Sequence, residues 1–529
     1  ENRVIALVDW ELSTIGDPFT DLINLTWPLM YPLLSSKTQE SVRPCPLLVI
    51  ASYCREANLP LSEQQRSFYT AFTLFKNAAI LLGVLERSSL GNASSSRAEE
   101  VGKRYTQLVE LATEILVRSN PSDLLRNPSG TMLDRLRAFM GAYVAPLEQS
   151  FHTHATSVNR WTPWPPMEEL KRSAKKEGLW NLWLPRKLGG TLSNREYAPL
   201  AEEMGRVPFA SEVFNCSAPD TGNMELLARF GSPTQRARWL DPLLDGAMRS
   251  CFAMTEPDQA SSDPRSLSLS VKEKEGELWI SGRKWWVSGA MDKRCRLIIL
   301  VGRTGKEEGP PYRRHSIVLV PMDSEGVTVV RPLLVYGFDD APHGHAEILF
   351  NNVRVPMEGS ILLGIGRGFE AAQRRLGPGR VHHCMRLIGM AERGLDLMKE
   401  RARTRRAFDR PLVDLGGNGA LMAISRAEVE QARLLVLHTA ALLDESDDPG
   451  RSPQVRKFVA MIKFVVPDMA ARVLDRSIQV HGGAGLSQDT TLAYLWVAAR
   501  SLRIADGPDE VHRQTVARLE MMEQTSSKL

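Results

Sequence analysis

Between residues 251 and 355 the hydrophobic period of this chain changes from that of a helix to that of a strand, and near residue 368 it changes back. No other feature constrains the fold as strongly, because a segment patterned every second residue cannot bury its apolar face as a helix. "SLSVKEKEGELWISGRKWWVSG" alternates around a Glu-Gly turn, and "RLIILVG", "SIVLVPM", "VTVVRPLLVYG" and "AEILFNNVRVP" follow as strand-type runs. From about 132 to 250 the spacing is helical, in "MEELKRSAKKEGLWNLWLP", "NREYAPLAEEMGR" and "TGNMELLARFGSPTQRARWLDPLLDG". Residues 356–522 carry long amphipathic segments, among them "ISRAEVEQARLLVLHTAALLD" and "QVRKFVAMIKFVVPDMAARVLDRSIQV". The expected fold is an α+β multidomain one, with a β-domain over 251–355 set between two helical regions.

A length of 529 residues, 43% of them hydrophobic and 24% charged, implies several cores rather than one. With 66 basic and 62 acidic side chains the net charge is +4, which gives no reason to expect a nucleic-acid partner. No apolar run is long enough for a transmembrane helix. The six cysteines are scattered, without a CxxC pair or histidines at metal-ligand spacing, so free thiols in a reducing compartment are expected. Residues 1–118 read as a strand and turn followed by helices, and the Ser/Pro/Asn/Gly-rich stretch around 119–131 as a linker. A chain that opens on Glu1 directly into "RVIALVDW" is expected to be part of a longer polypeptide. The tail, 523–529, ends in Ser527-Lys528-Leu529, which reads as a peroxisomal address, with the mitochondrion as the alternative.

Five short stretches carry candidate chemistry: "CFAMTEPDQASSD" (Cys251–Asp263), "GRKWWVSG" (Gly282–Gly289), "RTRRAFDRPL" (Arg403–Leu412), "QVHGGAGLS" (Gln479–Ser487) and "RIADGPDEVH" (Arg503–His512). Each alone has a structural reading. Asp-Gly and Gly-Pro are turn signals, Gly507 can close a helix, Pro508 can open the next, and acids suit a helix N-terminus. Trp285-Trp286 can be core, and the glycines at 482, 483 and 485 can end a helix.

In this order the five stretches resemble the acyl-CoA dehydrogenases over roughly residues 132–522. The resemblance implies an N-terminal helical domain (132–250), a middle β-domain (251–355), a C-terminal four-helix bundle (356–522), bound FAD, and a homotetramer or homodimer. "NCSAPDTGNMELL", "RLGPGRVHHCMRLIG" and "ADGPDEVH" are similar to members that carry a phosphotransferase domain ahead of the dehydrogenase. By this resemblance Phe252, Met254 and Thr255 lie beside the flavin ring, Trp286 packs on it, and the Ser288 hydroxyl reaches its N5. Arg405, Phe408, Gln479, Gly482 and Gly483 reach the FAD of a neighbouring subunit. Ser262 contacts acyl-CoA, and Arg380 lies beneath the thioester arm.

Asp506 falls on the family's catalytic base, 27 residues after Gln479, which is the family's spacing. Four departures stand out. Aspartate replaces the usual glutamate. Asp409 takes the place of a glycine, and Pro508 and Glu510 stand where Thr and Gln are usual. Three glycines lie in "DLGGNGALMA" where a helix start is expected.

"VIALVDWELSTIGDPFTDL" (Val4–Leu22) resembles the end of an aminoglycoside- or choline-kinase-like phosphotransferase, with Asp9 at a Mg²⁺ position. Its phosphate-binding loop, lysine and catalytic aspartate would precede Glu1, so residues 1–118 are expected to be a C-lobe remnant without kinase activity. The implied reaction is FAD-dependent α,β-dehydrogenation of an acyl-CoA to the trans-2-enoyl-CoA, with electron-transferring flavoprotein or O₂ as acceptor. Long, branched and hydroxylated acyl chains all remain open as substrates. The alternatives are a same-fold oxidase, of acyl-CoA or nitroalkane type, and a non-catalytic scaffold.

Overall fold

The structure is a computed structural model that describes residues 63–89, 108–109, 131–305 and 309–526. Asp9 with its surrounding segment, the linker up to residue 130, and Ser527–Leu529 lie outside the described residues. The chain divides into two compact units, residues 1–129 and 130–529. In the first, helix α1 (Glu63–Ser89) lines up Ala71, Leu74 and Ala78 at helical spacing, and they bury against Leu108.

The second unit opens with α2 (Met132–Phe139), whose Thr131 hydroxyl accepts from the Asp134 amide while Asp134 caps Thr131 in return. α3 (Glu148–Ala155) and α4 (Pro166–Lys176) follow. α4 starts on proline, with Glu168 and Glu169 in its first turn and Lys175 and Lys176 in its last, matching its dipole. α5 (Asn194–Gly205) repeats the capping box with Ser193 and Glu196, and α6 (Asp220–Phe230) completes the set. The helical stretch expected from Met167 to Pro185 stops at Lys176, and turns and a short 3₁₀ segment follow.

The β-domain is an eight-stranded sheet. β1 (Arg249–Ala253), β2 (Ser270–Lys274), β3 (Glu277–Ser288), β4 (Cys295–Arg303), β5 (His315–Pro321), β6 (Val327–Pro332), β7 (His345–Pro356) and β8 (Ile361–Leu362) order as β6-β7-β3-β2-β4-β5-β8, with β1 parallel to β4. The alternating "VKEKEGELW" is the β2–β3 hairpin, turned by Glu275 and Gly276 at φ +56° and +78°. β4 and β5 are buried almost throughout, so Ile298, Leu300, Val318 and Val320 form the sheet's core. Each such side chain contributes roughly 1.5–3 kcal/mol.

After β8, α7 (Gly368–Thr404), α8 (Asn418–Glu445), α9 (Pro453–His481), α10 (Leu492–Ser501) and α11 (Asp509–Ser526) form the C-terminal helical region. A small hairpin, β9 (Arg406–Ala407) and β10 (Arg410–Pro411), joins α7 to α8. α5 lies directly on α7: a Cβ on Gly205 would sit 2.1 Å from the Arg386 carbonyl oxygen, and one on Gly389 would sit 1.9 Å from that of Glu202. Only glycine permits that approach.

The helices before the sheet are tied to it by buried charge. Arg249, at the start of β1, meets Glu212 at 2.5 Å and Asp220 at 2.9 Å. Arg294 meets Glu212 at 2.8 Å and Asp292 at 2.7 Å, and Lys171 on α4 reaches Glu212 at 3.1 Å. Burial works against the Glu212 carboxylate, but Arg249, Lys171 and Arg294 hold it well below the usual carboxylate range. Removing one member of such a buried cluster leaves charge uncompensated, at about 3–5 kcal/mol. Arg249→Leu is expected to lower unfolding stability by about that amount in denaturant titration, and a loss below ~1 kcal/mol would contradict the tie.

Candidate active site

Two groups of side chains each contribute a residue to one cavity, Asp340 from the first and His383 from the second. The first is built on β1 and β3. Lys284, buried within β3, donates to the Met254 carbonyl at 2.7 Å and to the Glu256 carboxylate at 2.8 Å. Glu256 also accepts from the Ser268 and Leu269 amides. Burial pulls the Lys284 ammonium down to about 8, against the pull of Glu256. Burial alone would raise Glu256, but Lys284 and the two amides hold it below its ordinary value.

This pair pins the Met254–Glu256 segment to β3 at the point where the β3–β7 register shifts, between Lys284 and Val287. The shift re-aims the strand, as bulges do. The Trp285 amide donates to the Thr255 carbonyl at 3.0 Å, and Trp286 takes φ +52° with 40% of its surface exposed. A large aromatic in the left-handed region is uncommon, and such strain concentrates at functional sites.

At the end of β3 the Ser288 hydroxyl lies 2.8 Å from His345 Nδ1, and His345 Nε2 lies 2.8 Å from the Asp340 carboxylate. Burial would raise the Asp340 carboxyl, yet the hydrogen bond from His345, the nearby His343 and the Tyr494 hydroxyl hold it low. A carboxylate can only accept, so His345 donates from Nε2 to Asp340, and its Nδ1 shares a hydrogen bond with the Ser288 hydroxyl. The His345 ring also lies 5.9 Å from that of Trp286.

The second group surrounds Asp506, in the turn between α10 and α11. Asp506 and Gly507 adopt φ +58° and +105°, and a Cβ on Gly507 would meet His512 Nε2 at 2.9 Å, so glycine is needed there. Arg380 on α7 donates from Nε to the Asp506 carbonyl at 3.0 Å, and His512 Nε2 lies 3.3 Å from the same oxygen. His383 Nε2 lies 3.4 Å from the Asp506 carboxylate. Lys463 on α9 is fully buried and donates to the Leu502 carbonyl. Burial lowers the Lys463 ammonium, and the charge of the Asp506 carboxylate opposes that. Burial together with Arg380 and Lys463 pushes His512 down to about 3, so it is neutral.

The cavity they border has a volume of about 850 Å³. His383 and Arg386 line it from α7, Asp340 and His343 from the sheet side, and Trp164 and Phe209 from the early helices. The candidate residues of the sequence divide accordingly. Phe252 on β1, Met254, Thr255, Trp286 and Ser288 belong with the first group, and Arg380 and Asp506 with the second, and none of the seven lines the cavity.

Ser262 lies in an exposed turn, with no contact to either group given by the structure. Arg405 ends α7 exposed, and Phe408 tips the β9–β10 hairpin, 91% exposed at φ +49°. Gln479 is exposed near the end of α9, Gly482 caps that helix at φ +64°, and Gly483 starts the next turn. Arg401 donates to the His481 carbonyl, which places these two helix ends side by side. Asp340, His345, His383, Arg386 and Lys463 were not among the residues picked out by sequence. The paired histidines of "RVHHCMR" and "PHGHAEI" were the available signal.

Family models described as the acyl-CoA dehydrogenase N-terminal, middle and C-terminal domains match residues 130–247, 251–353 and 366–520. Acyl-CoA dehydrogenase family member 10 of Mus musculus is 45% identical over 99% of this chain and 54% of its own length. Family member 11 of Gallus gallus is 42% identical over 99% of this chain and 70% of its own. The chain thus spans about half of the first relative. A Mycobacterium abscessus protein solved and classed with the acyl-CoA dehydrogenases superposes with a TM-score of 0.71 at 48% identity, covering 76% of this chain and 98% of that one.

The Lys284–Glu256 pair makes a clean test of how the first group is held. Lys284→Met leaves a buried carboxylate unpaired and is expected to cost about 3–5 kcal/mol, while Lys284→Met with Glu256→Leu restores most of it. Equal losses in single and double variants, read by chemical denaturation, would contradict the pairing.

Proposed function

The chain belongs to the acyl-CoA dehydrogenase family, and on that premise we propose that it oxidises an acyl-CoA to its trans-2-enoyl-CoA. In this reading Asp506 takes the α-proton while the β-hydrogen leaves as hydride. FAD, when bound, supplies the hydride acceptor. One observation supports the proposal: Asp340, which reaches Ser288 through His345, and His383, which faces the Asp506 carboxylate, line the same cavity.

The residues of the first group fit a flat, hydrogen-bonding ring. Trp286 offers an exposed aromatic face, Ser288 a hydroxyl whose partner is already set, and Met254–Thr255 a main chain held still by Lys284. Asp506 suits a base because Arg380 and Lys463 favour its ionised form. Arg380 and Ser262 are proposed to contact the acyl-CoA. Asp506 is half-buried, with His383 beside its carboxylate and Arg380 on its carbonyl. An α-proton is only weakly acidic, so a positioned base contributes about 10²–10⁴-fold.

Further elements of the reading rest on the family alone. Arg405, Gln479, Gly482 and Gly483 stand at exposed helix ends and Phe408 at an exposed hairpin tip, which supports contact with a neighbouring subunit's FAD in a homotetramer or homodimer. Residues 1–118 are proposed as the end of a phosphotransferase domain with Asp9 at a former Mg²⁺ position. Ser527–Leu529 is proposed to direct peroxisomal import, with the mitochondrion as the alternative. Electron-transferring flavoprotein is the proposed acceptor, and peroxide release on turnover would favour O₂ and an oxidase instead.

A panel of straight, branched and hydroxylated acyl-CoAs, each mixed anaerobically with the purified yellow protein, tests the function by flavin bleaching. Asp506→Asn keeps the turn and removes basicity. It is expected to retain FAD and bind the acyl-CoA while bleaching slows by about 10²–10⁴-fold. Parental bleaching in that variant would show that the proton goes elsewhere.

A further inference from the structure

Asp506 is held at both ends, and the second hold is the informative one. Its carbonyl is fixed by Arg380, and its carboxylate faces His383 Nε2 at 3.4 Å. His383 is not free to rotate or to change its hydrogen. Arg386 donates from Nη2 to His383 Nδ1 at 3.2 Å, and the same guanidinium donates from Nη1 to the Cys216 carbonyl at 3.2 Å. A guanidinium never accepts, so Nδ1 must present its lone pair, and Nε2 must carry the hydrogen. Protonating Nδ1 would set an imidazolium against Arg386. With Nδ1 accepting from Arg386, the His383 hydrogen lies on Nε2, which is 3.4 Å from Asp506 Oδ2.

Resting on the reading of Asp506 as the base, we propose that His383 is its positioning residue. The Nε2–H holds the short carboxylate in place, and Arg386 fixes the tautomer that makes this possible. His383 and Arg386, the two middle members of the chain Cys216–Arg386–His383–Asp506, line the cavity. Other titratable groups facing Asp506, among the described residues, include Arg380 and Cys384 on α7, Lys463 on α9, and His512 on α11, with Asp509 of α11 facing Lys463. A lost donor should therefore show as a shift against a fixed cationic background.

His383→Phe keeps ring volume and removes the donor, whereas His383→Gln keeps an N–H. In the holoenzyme, with an acyl-CoA that bleaches the flavin, the Phe variant should move the acid limb of kcat/KM up by about one pH unit. Its kcat should fall about tenfold, with KM within about twofold. The Gln variant should recover most of both. In an Asp506→Asn background, His383→Phe should change the residual rate by less than about twofold.

An unmoved acid limb and kcat in a Phe variant with parental flavin content overturns the proposal. If the Phe variant does not hold flavin, the Gln variant decides. A parental acid limb supports the donor role, and a limb raised by a full unit overturns it. An inactive Asp506→Asn beside a parental His383→Phe sinks the positioning role alone. An active Asp506→Asn sinks the base itself.

Discussion

The contact on which the rest of this structure depends is the meeting of Arg249 with Glu212 and Asp220. β1 is short, and its first residue sends a cation out of the sheet into the helices that precede it. Three elements thereby acquire a common origin: α4 through Lys171, the start of α6 through Asp220, and the β3–β4 turn through Asp292 and Arg294. Buried ion clusters add little net stability over a hydrophobic equivalent, but they tolerate no substitution of one member. Here the cluster sets the position of a wall, since Arg249, Glu212 and Arg294 all line the cavity. A greasy contact could slide by a rotamer, whereas a fork of charge-assisted hydrogen bonds cannot.

The same device recurs at smaller scale in both groups of site residues. Lys284 and Glu256 hold main chain next to the register shift that turns Trp286 out of the sheet. Arg380 holds the main chain of Asp506, with the buried Lys463 nearby. In each case a buried cation fixes backbone, and the backbone presents a side chain in the left-handed region: Trp286 at φ +52° and Asp506 at φ +58°. Conformations of that kind cost of order 1–3 kcal/mol and persist only where neighbours over-determine them. Here the cations and their partners supply that constraint.

The helix–strand–helix order was legible in sequence because periodicity is a local property and the β-runs alternate cleanly around Glu275-Gly276. The turn at Asp506 was legible too, as Gly-Pro chemistry followed by acids at the start of α11. What the sequence did not disclose is pairing across distance. Ser288 and His345 are 57 residues apart, and Arg380 and Asp506 are 126 apart. Nothing in the local pattern of "PHGHAEI" says that its second histidine reaches a strand end, or that His383 rather than His382 turns toward the carboxylate. His382 instead packs edge-on against Tyr197, where burial and the neighbouring Arg386 and His383 push it down to about 3. Two adjacent histidines thus have opposite fates because successive helix positions lie about 100° apart.

Removal of the α-proton by Asp506 is the central claim, and isotopic substitution tests it most directly. Flavin bleaching should be followed anaerobically with one acyl-CoA, unlabelled, deuterated at the α-carbon, and deuterated at the β-carbon. The account predicts that each label slows bleaching in the parent protein, since both C–H bonds break in forming the enoyl product. It also predicts that the α-label effect persists or grows in Asp506→Glu, where the carboxylate remains but is misplaced. Bleaching that is indifferent to the α-label in both proteins, yet slowed by the β-label, would contradict it.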